Sequence, residues 1–101
     1  MRMHKAGDTL VVQASGELDM AEAEAFEVEL REALVDESVV LLDLSEVEFI
    51  DSTGIRALVL VCDEASSDGD KLRIKRSLSP AVERVLDLTG LADRLPWVVK
   101  S

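Results

Sequence analysis

The stretch Phe49-Ile50-Asp51-Ser52-Thr53-Gly54 decides how this chain folds. Just upstream, Val39-Val40-Leu41-Leu42 is a continuous apolar run, the pattern of a strand covered on both faces. Just downstream, Ile55, Leu58, Val59 and Cys62 recur at helical spacing, with Ala65 at the end, and predict a helix over residues 53–66. These six residues therefore hand a buried strand over to a helix. Free backbone N–H groups and the positive end of the helix dipole meet at such a junction, and both favour an anion. Ser52 puts a hydroxyl there, in position to cap the helix. A phosphate on Ser52 would be tolerated by the fold while changing the surface. Thr53 is the weaker acceptor, because its hydroxyl in the first turn is expected to point inward. This combination reads as a switch more than as an enzyme.

Working outward, Met1 to Lys5 reads as a short edge strand and Gly7-Asp8 as a turn. Thr9 to Ser15 alternates Leu10, Val12 and Ala14 against Val11, Gln13 and Ser15, as a half-buried strand does. Gly16-Glu17-Leu18-Asp19 is expected to leave that strand, with Asp19 capping a helix over Ala21–Leu34. Ala23, Phe26, Leu30, Ala33 and Leu34 give this helix its inner stripe, and Glu22, Glu24, Glu27 and Glu29 its outer face. Asp43 to Glu48 reads as a polar link between Leu42 and Phe49. After the second helix, residues 66–70 form a loop and Leu72 to Lys75 alternates as a strand. Ser79-Pro80 then starts a third helix, with Ser79 as N-cap and Val82, Val85 and Leu86 inward. Gly90 suits the residue just past its end. Leu91 to Leu95 predicts a turn or short helix, and Trp97-Val98-Val99 a last strand. Strands alternating with helices predict one α/β domain over residues 1–101, a mixed β-sheet with helices packed against it.

Composition narrows the function classes. The chain has 101 residues, 48% hydrophobic but only 3% aromatic, so a core of Val, Leu, Ile and Ala is expected. No apolar run approaches the roughly 20 residues of a membrane helix, and no secretory signal opens the sequence. The single cysteine, Cys62, excludes an internal disulfide and fits a reducing compartment, so a cytoplasmic location is expected. Cys62 lies in an apolar stripe and reads as a buried structural thiol. The net charge is −10, and Arg31 is the only base between Glu17 and Asp51. Nucleic acid is therefore not an expected partner. The acidity either steers a basic protein partner or simply keeps a small apolar domain soluble. Lys71, Arg73, Lys75 and Arg76 read as a charged edge strand.

Four segments in register resemble the STAS domain family, specifically the bacterial anti-sigma factor antagonists: Gly16-Glu17-Leu18-Asp19, Leu41-Leu42-Asp43-Leu44, Phe49 to Gly54, and Ser79 to Leu91. The resemblance covers nearly the whole length. It implies a STAS-type fold and binding to an anti-sigma factor that is also a serine kinase, which frees the sigma factor. It further implies phosphorylation of Ser52, release of the partner, and restoration by a PP2C-type phosphatase. By the same resemblance Asp51, Asp19, Thr53 and Gly54 belong to the partner-binding surface. The chain departs from the family's common Asp-Ser-Thr-Gly-x-Gly pattern, carrying Ile55-Arg56 after Gly54. Arg56 would lie one turn into the helix, where it suits a phosphate or an acidic group of a partner, or else hinders the close approach a glycine permits.

Other classes find less support. A Ser–His–Asp triad would have to use the lone His4, on a predicted edge strand, and there is no Gly-x-Ser-x-Gly elbow. One His and one Cys cannot build a transition-metal site, and a carboxylate site from Asp19, Asp43 and Asp51 requires all three at strand ends. A single glycine in Ser-Thr-Gly is no glycine-rich phosphate loop, and no cofactor is expected. Leu60 and Val61 lie off the inner stripe of the second helix. They are expected to be covered by the third helix or the end of the chain, the alternative being a docking patch beside Ser52. Two other functions stay open: a STAS module of a lipid-transport or stress-sensing complex, and a small phosphate- or nucleotide-binding protein. A monomer is expected, with dimerisation through the edge strand open.

Overall fold

A computed structural model describes residues 1–36, 39–67, 69 and 71–98. Its four strands form one sheet in chain order. β1 (Arg2–Ala6) folds back through Gly7, which takes a positive φ, and runs antiparallel to β2 (Thr9–Leu18). β2 pairs in parallel with β3 (Val39–Ile50), and β3 with β4 (Leu72–Ile74). Parallel neighbours need crossovers. α1 (Ala23–Asp36) makes the first and α2 (Ser52–Ser67) the second. α3 (Pro80–Thr89) packs against β3, and a 3-10 turn, Ala92–Arg94, follows it. The predicted mixed α/β sheet is present.

One apolar cluster joins the sheet to all three helices. Val12, Val40, Leu42, Leu44 and Ile74 are fully buried from the sheet, and Leu30, Leu58, Val61 and Val82 from the helices. Each large aliphatic of this kind contributes roughly 1.5–3 kcal/mol by leaving water. Cys62 is buried among them, and burial first, then the Asp63 charge, pushes its thiol up to about 12. It packs as a small hydrophobe.

β3 differs most from expectation. Asp43–Glu48 is no link: the strand runs unbroken for twelve residues, and Asp43 is buried within it. β2 likewise continues through Gly16 to Leu18. Gly16 takes φ +76°, and the β2–β3 register shifts between Gln13 and Ser15 and again between Gly16 and Glu17. Such bulges re-aim side chains. Leu44, Val47 and Ile50 consequently stay buried at intervals of three, while Ser45, Glu46, Glu48 and Phe49 face out. A reading based on strict alternation cannot see a strand of that pattern.

Asp19 caps the turn that leads into α1, and the helix itself starts at Ala23, two residues later than expected. Asp19 Oδ1 accepts from the N–H groups of Ala21 and Glu22, and its carbonyl accepts from Ala23 N at 2.8 Å. Ser79 caps α3: its Oγ accepts from Val82 N at 3.2 Å, and Gly90 closes the helix in the left-handed conformation. The expected last strand is reduced to one parallel bridge, Trp97 to Ile74, flanked by Ile74 N donating to Pro96 O and Val98 N to Ile74 O. Val99 lies outside the described residues. This tail covers part of the β4 edge. Arg76 stacks over the Trp97 ring at 6.0 Å and donates to Val98 O, and Lys75 reaches Asp43, so this basic segment is largely engaged within the fold.

Val61 and Ala57 are buried, and the helix packed against α2 is α1, not α3. Arg31 of α1 holds Glu64 of α2 through two bonds, at 2.8 and 3.0 Å, and Glu27 of its own helix at 3.1 Å. Both ends of this clip are exposed, so it fixes how the helices pair more than how stable they are. Leu60 is different: it remains 45% exposed.

Asp43 makes acid stability readable. Burial pushes its carboxyl up, but hydrogen bonds from Ser45 and the Lys75 ammonium outweigh this and hold it below the usual carboxylate range. A depressed folded-state pKa contributes stability above the unfolded carboxylate range, and that contribution is lost as pH falls through the folded value. Asp43→Asn should therefore be destabilised relative to wild type at pH 7, with the gap closing below about pH 4. Urea unfolding at both pH values measures it, and a gap independent of pH would refute the carboxylate's role.

Candidate functional site

β2 and β3 end side by side, with Leu18 opposite Ile50 in register. Both crossover helices begin at these carboxyl ends, the place where α/β sheets usually build sites. Asp51 organises the junction. Its Oδ1 accepts from Gly54 N at 3.0 Å and its carbonyl from Ile55 N at 3.0 Å, so Asp51 is the N-cap of α2. Its Oδ2 accepts from Met20 N at 3.3 Å, and its own N–H donates to Leu18 O at 3.4 Å. One residue thus ties α2 to the end of β2 and to the turn leading into α1. Asp19, capping the turn into α1 beside it, completes a pair of carboxylates turned onto backbone N–H groups.

Gly54 explains itself sterically. A Cβ at this position would collide with the carbonyl oxygen of Leu18 and crowd Ile50 Cγ1. The first turn of α2 lies directly on the end of β2, and only a residue without a side chain allows it.

The sequence reading had Ser52 as the cap; the structure corrects this. Ser52 is the first helical residue, exposed, and its hydroxyl makes no hydrogen bond among the described residues. Thr53 is also exposed, contrary to its expected inward orientation. Arg56 is exposed one turn further along, also without an ion pair or hydrogen bond among the described residues. Ser52, Thr53, Arg56 and Leu60 share the outer face of α2, and Met20, 75% exposed, borders the junction. Met20 was not anticipated; its position directly after the capping Asp19 was the available signal. Phe49, the residue before Ile50, is 50% exposed.

Asp43 does not join Asp19 and Asp51. It pairs with Gln13, roughly 16 Å back along β2 from the junction. No group of three or more His, Cys, Asp or Glu suited to a metal occurs among the described residues. His4 pairs with Val11 on β1, about 20 Å from the end of β2, so it cannot meet Ser52. Among the described residues, no helix is long and apolar enough to cross a membrane.

Comparison with known proteins places the sequence and the fold that carry this arrangement. The STAS domain model matches residues 1–101. The chain belongs to the STAS domain family. BtrV of Bordetella bronchiseptica, named as an anti-sigma factor antagonist, is 32% identical over 98 residues, covering 95% of this chain and 83% of BtrV. The crystal structure of an anti-sigma factor antagonist from Mycobacterium paratuberculosis superposes with a TM-score of 0.79 at 29% identity, covering 98% of this chain and 84% of that one. TM1081 of Thermotoga maritima, also named for that role, superposes at 0.81 with 27% identity, over 98% of this STAS chain and 86% of its own.

The geometry separates two serines that sequence treats alike. Ser79→Ala should cost about 1 kcal/mol through the lost cap, whereas Ser52→Ala should change stability by less than about 0.5 kcal/mol. Gly54→Ala should lose about 2 kcal/mol, because the collision with Leu18 exceeds the roughly 1 kcal/mol an alanine gains inside a helix. Thermal and urea unfolding of the three variants measure both statements; a stabilised Gly54→Ala would refute the close approach.

Proposed function

We propose that residues 1–101 act as one STAS unit, an anti-sigma factor antagonist switched at Ser52. The unmodified domain binds an anti-sigma factor that is also a serine kinase, and so frees the sigma factor. The kinase moves the γ-phosphoryl group of ATP to Ser52 Oγ, with ADP leaving and the hydroxyl proton lost. The modified domain then lets go, and a PP2C-type phosphatase hydrolyses the ester to restore the serine. The domain is a binding module and a kinase substrate, acting as a cytoplasmic monomer without nucleic acid or membrane.

One observation carries this reading: Ser52 presents an exposed hydroxyl at the start of α2, without a hydrogen-bond partner among the described residues, while Asp51 does the capping. Modification therefore removes no bond that holds the fold. The added −1.5 to −2 charge falls beside free helix N–H groups, which favour it. A partner docked on Ser52, Thr53, Gly54 and Arg56, with Asp51 and Asp19 ordering the turn, meets that charge without solvent. Its cost there is enough to weaken binding about a hundredfold. The names of the relatives support the anti-sigma factor as the class of partner.

Mixing the protein with a kinase-type anti-sigma factor and ATP should add one phosphoryl group, located by mass spectrometry at Ser52. Ser52→Ala should bind the same partner and accept none, and Ser52→Asp should bind at least tenfold more weakly in calorimetry. Modification elsewhere, or full-strength binding by Ser52→Asp, would overturn the switch.

A further inference from the structure

Several cations of the described surface are engaged by groups of this chain; the Arg56 side chain, like those of Lys71 and Arg84, has no ion pair or hydrogen bond among the described residues, and of these it alone lies on α2. Arg31 holds Glu64 and Glu27, Arg94 holds Asp63, Lys75 faces Asp43, and Arg2 holds Glu46. Arg56 is exposed on α2 with no such partner among the described residues. Its helical neighbours explain why. Positions three and four away are Ser52, Thr53, Val59 and Leu60, none of them charged. The nearby Asp51 carboxylate is already taken up by Gly54 N and Met20 N. A negative charge would enter this neighbourhood along α2 only by modification of a hydroxyl.

Ser52 and Arg56 are four residues apart, so their Cβ atoms lie about 5–6 Å from each other. Helical side chains lean toward the N-terminus, which carries the Arg56 guanidinium back over the first turn. The acid would stand on the N-terminal side of the base, the more favourable order. Guanidinium and phosphate also match as a two-pronged pair.

We propose that Arg56 is the built-in counter-ion of phosphorylated Ser52, folding back one turn to hold the phosphate against α2. This rests on the switch reading and extends it. Phosphorylation then makes two changes to the docking face: it adds an anion, and it withdraws the free cation that the unmodified face offers to an acidic group of the partner. One event reverses the local charge preference, and the phosphate is fixed in place instead of sweeping the surface.

The test uses the full chain with phosphoserine built in at position 52 during synthesis, so it needs no kinase. Phosphorus NMR follows the second ionisation of the phosphate, ordinarily near pH 6. In wild type it should fall about 0.5 pH below that of Arg56→Gln, and the difference should vanish in about 1 M salt. Asp19, Glu22 and Asp51 are common to both proteins, so the difference isolates Arg56. Arg56→Lys should keep part of the shift, since it retains the charge but not the planar fork. Coincident titration of wild type and Arg56→Gln overturns the pairing while leaving the switch intact. Failure of a kinase to modify Ser52 would sink the switch and leave this measurement standing.

Discussion

The structure depends on a close approach of backbone to backbone: the first turn of α2 lying against the carbonyl of Leu18. Two adjacent parallel strands finish level, and both must hand over to helices in the same small space. Gly54 makes the approach possible by having no side chain, and Asp51 fixes it by accepting from both sides of the junction. If the two were separated, α2 would lose its cap and its seat together. The aspartate and glycine of the motif thus have structural reasons to be there, independent of any partner.

That division leaves Ser52 structurally idle. It stands between two residues that hold the junction, yet its own hydroxyl holds nothing among the described residues. On the switch proposed above, a group to be esterified and freed is well placed where the fold is indifferent to its state. The surroundings are not indifferent: exposed Met20 and Leu60 supply apolar area, and Arg56 supplies charge.

Much of this was legible in the residues. The apolar run Val39–Leu42, the helical stripes of α1 and α2, and the Ser79-Pro80 start each followed from local periodicity or capping chemistry, and the structure has them. The second half of β3 was not legible, because the bulge around Gly16 changes the burial interval from two to three. Capping of α2 was misassigned for a subtler reason. Asp and Ser are comparably good caps, and adjacent in sequence they differ only by which one the strand delivers into the extended conformation. The packing of α1 on α2 depends on how two crossovers lie together, a tertiary fact with no local signature. At the site, Asp19, Asp51, Ser52 and Gly54 were all located by motif. Met20 and the freedom of Arg56 emerged only once neighbours in space were known.

The two borders of the sheet are guarded by different means. On one side β1 exposes Arg2 and Lys5, so a second β1 brought alongside would bring like charge with it. On the other, Pro96 O and Val98 N are turned onto Ile74, and the intervening Trp97 N donates to Leu95 O, so it is not offered to an incoming strand. Growth of the sheet is discouraged by electrostatics at one rim and by an internally bonded donor at the other, while the level ends of β2 and β3 lie apart from both guards.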